Sequence, residues 1–280
     1  MSYAGVAEQT LAAAHARRRL EPADRDVLNR LREAAREFFG LPGDRKAEYG
    51  DGASGYGGYG LRWSEPEDPG QRDDRTARDE CETFSLYGDR PERVPNYRQI
   101  PGLTAALLTW QRVAARITAE ILGDLANNYG YRGAWRFEPT SCLQVSNYGR
   151  PDGRGSLILP HTDSHVITLV CPDQPGLEIE VDGVMQDIWA GPDEMFVLAG
   201  ELLELMTGGE VRACRHQVSQ RDLPEGRTAV MYFVNTPFAG EVPPYLLTNA
   251  NRDLDVAAAA VAYCTRFGQE IPADLIPARC

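Results

Sequence analysis

The chain has 280 residues, 42% of them hydrophobic and 25% charged, ordinary values for a folded domain that exclude a disordered or membrane class. Its formal net charge of -12 argues against nucleic acid as a partner, because such recognition rests on clustered positive charge. No apolar run has the length of a membrane-spanning helix, and no basic segment followed by an apolar stretch opens the chain, so the expectation is a cytoplasmic protein with no membrane partner.

The six cysteines, Cys81, Cys142, Cys171, Cys214, Cys264 and Cys280, are scattered without any Cys-x-x-Cys spacing. That fits free thiols in a reducing compartment better than disulfides or a structural zinc site. The length suits one large domain over 1–280. Within it, 1–139 is expected to form a helical and loop region packing on the core, 140–237 the core itself, and 238–280 a C-terminal segment that is a candidate lid.

In chain order, Arg17-Arg18-Arg19 reads as a solvated face ahead of a helix. Glu21-Pro22-Ala23-Asp24 is a helix start, and Val27, Leu28, Leu31, Ala34, Ala35, Phe38 and Phe39 then recur at helical spacing until Gly40. From Gly40 to Gly60 the glycines and tyrosines predict an irregular loop. Gly55-x-Gly57-x-x-Gly60 formally matches a dinucleotide fingerprint, but no apolar strand precedes it and no helix follows, so the match is discarded. The charged stretch from Glu65 to Glu80 reads as a solvated loop, and Thr83–Leu86 as a short strand returning to a sheet. Leu103, Leu107, Trp110, Ala114, Ile117, Ile121 and Leu125 trace one stripe of a second helix, a buttress against that sheet.

Beyond residue 140 the apolar period changes from that of a helix to that of a strand. A strand runs from Leu143 to Tyr148 and another over Val166–Val170. Leu177, Ile179 and Val181 then alternate with Glu178, Glu180 and Asp182 up to a turn at Asp182-Gly183. Further strands are predicted around Val184–Trp189, Glu194–Leu198, Val211–Ser219 and Thr228–Val234. Many short strands joined by Gly, Pro and Asp turns argue for a mainly β sandwich or jelly roll with flanking α-helices.

The chemistry concentrates at His161-Thr162-Asp163 and His216. Two imidazoles and one carboxylate on one face of an octahedron hold Fe(II) and leave positions open for a co-substrate and dioxygen. His161 and Asp163 share parity, so on an extended segment both point one way, and a third ligand has to come from a neighbouring strand. His216 is the candidate. His165 shares that parity and is expected to face the same cavity.

Around these residues the order is Asn147-Tyr148, His161-Thr162-Asp163, Pro175-Gly176-Leu177, Gly200-Glu201, Thr207-Gly208-Gly209, Arg215-His216-Gln217-Val218, Arg227-Thr228-Ala229 and Asn235-Thr236-Pro237. This succession resembles the Fe(II)/2-oxoglutarate-dependent oxygenases of the isopenicillin N synthase-like family, strongly over 140–240 and weakly over 23–125. The resemblance implies a double-stranded β-helix, a cupin-like jelly roll, with His161, Asp163 and His216 as iron ligands. It implies Fe(II), 2-oxoglutarate and dioxygen as cofactor and co-substrates, and oxidation of an unactivated C–H bond by hydroxylation, desaturation or cyclisation. A small natural-product intermediate is the substrate expected.

By the same resemblance Arg227 holds the distal carboxylate of 2-oxoglutarate, a task suited to a permanently charged, bidentate donor. The family places a serine two residues after this arginine, where this chain has Ala229, and a tyrosine near the position of Gly149. Asn147, Tyr148 and Thr168 are the candidates to supply the missing contacts. Tyr59, Arg62, Trp63 and His165 are the candidate substrate contacts. Three other readings stay open: an iron oxidase of the same family that does not use 2-oxoglutarate, a zinc hydrolase using His161, His165 and His216, and a catalytically silent binding module.

Overall fold

The computed structural model describes residues 9, 13–50, 57–63, 80–148, 156–189, 191–219, 226–266, 271 and 273–275; of 61–63, 80, 156, 157, 266 and 273 it describes the backbone alone. The first helix, α1 (Pro22–Phe39), starts with Pro22 in its first turn after an extended Glu21 and ends at Gly40. A proline there loses no helical hydrogen bond, since that N–H has no partner inside the helix. Its buried face carries Leu28, Leu31, Ala35 and Phe38. A one-turn helix, α2 (Gly43–Ala47), follows, and the long α3 (Pro101–Asn128) buries the stripe from Leu103 to Leu125. Helices α1 and α3 pack on each other and lie over one sheet.

That sheet has seven strands in the order β1-β9-β6-β11-β4-β3-β2, and a second sheet has four in the order β5-β10-β7-β8. The strands are β1 (His15–Arg19), β2 (Gly58–Trp63), β3 (Glu80–Tyr87), β4 (Cys142–Asn147), β5 (Ser156–His161), β6 (Ile167–Pro172), β7 (Leu177–Val181), β8 (Val184–Asp187), β9 (Glu194–Ala199), β10 (His216–Ser219) and β11 (Thr228–Val234). Each of these pairings is antiparallel. This is the jelly-roll class expected from the strand pattern.

Register sorts the large sheet into two faces, because successive residues of a strand point to opposite sides. Phe84, Val145, Val230 and Cys171 align across β3, β4, β11 and β6 and belong to the helix-covered core. The adjacent rows, Thr83-Ser146-Ala229-Pro172 and Ser85-Gln144-Met231-Val170, therefore face the four-stranded sheet. A cavity lies between the two sheets on that side. The β7–β8 turn puts Asp182 and Gly183 at φ 52° and 78°, the paired left-handed conformation of a tight hairpin.

The structure departs from several expectations. The Arg17–Arg19 run is part of β1, paired with β9, with Ala16 buried and Arg17 and Arg19 outward. Gly58–Gly60, expected to be the end of a loop, open strand β2, which pairs with β3, so the region 1–139 contributes strands to the sheet as well as helices and loops. The predicted strand over 211–219 shortens to β10. The candidate lid contains α5 (Val256–Arg266), whose Val256, Ala257, Ala260 and Cys264 are buried, so this part is packed core rather than cover. A short helix, α4 (Glu201–Met206), lies between β9 and β10.

Candidate metal centre

His161 closes β5, His216 opens β10, and the register makes them direct partners. Their ring centroids are 4.3 Å apart. Asp163 sits just past β5 with Oδ1 3.7 Å from His161 Nε2 and Oδ2 3.9 Å from His216 Nε2. Among the described residues these three form the one group of histidine, cysteine or acidic side chains whose ligand atoms converge, all within 4.8 Å of one another. Side-chain exposures of 24%, 11% and 8% for His161, Asp163 and His216 put His161 nearest the opening.

Each imidazole is oriented by the backbone. His161 Nδ1 lies 2.8 Å from the Leu159 carbonyl and His216 Nδ1 3.0 Å from that of Cys214. A carbonyl only accepts, so each Nδ1 carries the proton and each Nε2 presents a lone pair towards Asp163, the tautomer a metal ligand requires. Burial raises the Asp163 carboxyl pKa, but neighbouring His216 and His161, with His165 behind them, hold it well below the usual carboxylate range. The set offers two neutral nitrogens and one anionic oxygen. Cys214 is kept out of that chemistry as a thiol, pushed up to about 12 by burial and by the charge of Asp163.

Asp163 is braced by two hydrogen bonds, and a third holds the residue that supplies one of them. Thr168 Oγ1 donates to its Oδ2 at 2.6 Å. The Glu201 N–H donates to its backbone carbonyl at 2.8 Å, and Thr162 Oγ1 donates to Glu201 Oε1 at 2.6 Å. Thr168 was expected to touch a co-substrate; it lines the cavity, and its hydroxyl is engaged with the carboxylate.

At the same cavity Arg227 is 2% exposed. Its guanidinium lies over the Tyr148 ring at 4.8 Å from the centroid, and Nε reaches the Gln174 carbonyl at 3.4 Å. Nη1 is buried with no hydrogen-bond partner, and among the described residues no acidic side chain pairs with the group. A buried guanidinium without an anion is costly. This orphaned donor is what the distal carboxylate of a bound dicarboxylate would satisfy, so Arg227 fits that co-substrate as the three converging groups fit Fe(II).

The other predicted site residues divide. Tyr148 lines the cavity. Asn147 does not: its Nδ2 donates to Glu82 Oε2 at 3.1 Å on the opposite face of β4. Tyr59 is on that side too, its hydroxyl donating to Glu82 at 2.8 Å beside Lys46, which forms an ion pair with the same carboxylate. The chain bends over residues 164–166, so the parity argument fails for His165; it is 6% exposed, with its ring 4.9 Å from that of Phe233, and it is absent from the cavity wall. A zinc set of His161, His165 and His216 is thereby disfavoured. The side chains of Arg62 and Trp63, and Gly149, lie outside the described residues.

The cavity wall also includes the polar Gln144 and Ser146, which the sequence did not single out. Both share parity with Tyr148 on one strand, which was the signal available.

Residues 140–236 match the family model described as the 2OG-Fe(II) oxygenase superfamily. The segment that carries the three converging groups and Arg227 is thus a 2OG-Fe(II) oxygenase segment. Oxygenases of this kind use Fe(II), 2-oxoglutarate and dioxygen, and the His161, Asp163 and His216 donor set is of the type that requires. Among curated proteins, this chain is 30% identical over 117 residues to gibberellin 2-beta-dioxygenase 3 of Arabidopsis thaliana, covering 38% of the chain and 33% of the relative. It is 28% identical over 228 residues to flavonol synthase/flavanone 3-hydroxylase of Eustoma exaltatum subsp. russellianum, covering 78% and 67%. The chain thus spans between a third and about two thirds of these relatives. The crystal structure of a full-length Neurospora crassa protein in complex with alpha-KG superposes with a TM-score of 0.75 at 17% identity, covering 94% of this chain and 90% of that one, a likeness of fold.

Proposed function

We propose that this chain is an Fe(II)/2-oxoglutarate-dependent dioxygenase that oxidises an unactivated C–H bond of a small molecule. In this reading His161, Asp163 and His216 hold the iron, and Arg227 with Tyr148 holds the distal carboxylate of 2-oxoglutarate. Bound iron supplies the coupling of 2-oxoglutarate decarboxylation to substrate oxidation. The residues' own tasks are to present two lone pairs and a carboxylate, to bind a dicarboxylate in one orientation, and to keep water from the buried end. The observation that carries the reading is the unpartnered Nη1 of Arg227 in the wall of the cavity that also holds the converging imidazoles and carboxylate.

The relatives that match over most of this chain include a flavonol synthase and a codeine O-demethylase of Papaver somniferum. Both names denote enzymes of small organic molecules, and a natural-product intermediate is the substrate class we favour. The single-domain organisation, and a cytoplasmic setting for the five buried free thiols, belong to the same proposal; among the described residues no helix is long and apolar enough to cross a membrane.

The test is anaerobic addition of Fe(II) and 2-oxoglutarate. A weak visible charge-transfer band, followed by succinate on admission of oxygen, is the expected result. Turnover that consumes oxygen without 2-oxoglutarate would move the assignment to the co-substrate-independent oxidases, and zinc-dependent hydrolysis without oxygen uptake would overturn it.

A further inference from the structure

The short helix α4 meets both stretches of chain that deliver the converging groups, and neither stretch is held by a strand where it does so. Residues 162–166, which carry Asp163, and 212–215, which lead into His216, lie outside every strand and helix. Their buried peptide groups therefore need partners from elsewhere, and several of those partners come from residues 199–204. The N–H groups of Gly200, Glu201 and Leu202 donate to the carbonyls of Val166, Asp163 and His165 at 3.0, 2.8 and 3.2 Å. On the other stretch, the Cys214 N–H donates to the Ala199 carbonyl at 2.8 Å.

Two side chains three positions apart on α4, and so neighbours on its surface, reach one stretch each. Glu201 Oε1 accepts from Thr162 Oγ1 at 2.6 Å. Glu204 Oε2 accepts from the Ala213 N–H at 2.7 Å, and its Oε1 from Arg212 Nη1 at 2.9 Å. Of these last two, the peptide bond is the one that bears on the centre. The Arg212 side chain is 78% exposed, and an ion pair in water contributes little. The Ala213 N–H is part-buried and immediately precedes Cys214, whose carbonyl lies 3.0 Å from His216 Nδ1. A carboxylate grips a peptide N–H more strongly than a neutral acceptor does. Glu204 thus fixes the peptide that fixes the imidazole.

We propose that Glu204 is a positioning residue of the metal centre: through the Ala213 N–H it sets the Cys214 carbonyl, and with it the orientation of His216, relative to the Asp163 that Glu201 holds from the same helix. The inference rests on the reading of His161, Asp163 and His216 as metal ligands and deepens it. A single turn of helix then gauges the spacing between donors that the sequence keeps far apart. Three donors on one face of an octahedron need that spacing, and the strand pairing of His161 with His216 does not extend to Asp163.

The experiment is titration of the full-length protein with Co(II) against a chelator, read beside the visible bands of the Co(II)-loaded protein and the melting temperature of the metal-free protein. Glu204→Ala should weaken Co(II) binding by about 10–100-fold, the range for partners one bond behind a metal ligand, and should displace the Co(II) bands. Arg212→Ala, which leaves the Ala213 bond in place, should match wild type. Glu204→Gln keeps an acceptor without the charge and should fall between wild type and alanine; it decides the matter if the alanine variant does not fold. A Glu204→Ala protein that melts lower but keeps the wild-type affinity and bands would show that the carboxylate serves the fold alone, and would overturn the proposal. An equal loss in Arg212→Ala would overturn it too, by moving the effect to surface charge. Wild-type protein that holds no Co(II), or holds it unaltered after Asp163→Ala, would instead sink the metal-ligand reading itself.

Discussion

Gly200 lies so close beneath His165 that a β-carbon on it would stand 1.9 Å from the His165 carbonyl oxygen and 3.0 Å from that of Asp163. Its φ of -102° is open to any residue, so the requirement is for space and not for backbone freedom. The Gly200 N–H donates to the Val166 carbonyl at 3.0 Å, and the next N–H, of Glu201, to Asp163. Gly200→Ala should therefore push the Asp163 segment away from β9 at a cost on the order of 3 kcal/mol. Thermal melting together with a metal titration checks this: a melting temperature lowered by several degrees and weakened metal binding are expected, and unchanged values for both would contradict the packing argument.

Asp163→Ala removes the only anionic donor of the converging set. A ligand that binds the folded state alone raises stability by about 2.7 kcal/mol at a hundred times its dissociation constant. Wild type should thus melt higher when Mn(II) or Fe(II) is added, and Asp163→Ala should show no such rise, with circular dichroism unchanged and succinate formation abolished. Retained turnover in the variant would show that the ligand assignment is wrong.

Thr168 touches the centre through Asp163, to which its hydroxyl donates at 2.6 Å. Thr168→Val keeps the shape and deletes the donor. Losses of this kind around metal ligands run to about 10–100-fold in metal affinity. Competition with a chelator reads that number directly, and 2-oxoglutarate binding at saturating metal should change far less.

Arg227 poses the opposite problem, since without an anion its buried charge opposes folding. Arg227→Met should leave the ligand-free protein as stable as wild type or more stable, by about 1 kcal/mol, while abolishing the preference for 2-oxoglutarate over 2-oxovalerate. A strongly destabilised methionine variant would mean that the guanidinium serves the fold and not a ligand.

The sequence revealed elements whose apolar spacing is carried by many residues. The stripe of α3 and the alternation of β7 are both regular enough to place a face, and the strand order after residue 140 led to the jelly-roll class. Strand β1 escaped because arginines occupy its outward positions and only Ala16 marks the buried side. Strand β2 escaped because Gly58 and Gly60 carry no side chain to show a period. At the site, the imidazoles and the carboxylate were legible because strand parity links His161 to Asp163. The same rule misled at His165, where the chain is no longer extended. It could have served better at Asn147, since neighbours on a strand cannot both face one cavity, and Tyr148 takes the inward place. The brace from Glu201 and Gly200 depends on a tertiary approach of α4 to the 162–166 segment, which no local pattern encodes.

Strand β5 ends the order of the smaller sheet, with β10 on one side and, among the described residues, no strand on the other. Such margins are the parts of a sheet that fray first. A cation held, as proposed, by His161 on this margin and by His216 on its inner neighbour would work as a rivet through the seam. On that reading, loading the centre would also fasten the flank, and amide exchange along β5 should slow when metal is added, before any substrate is present.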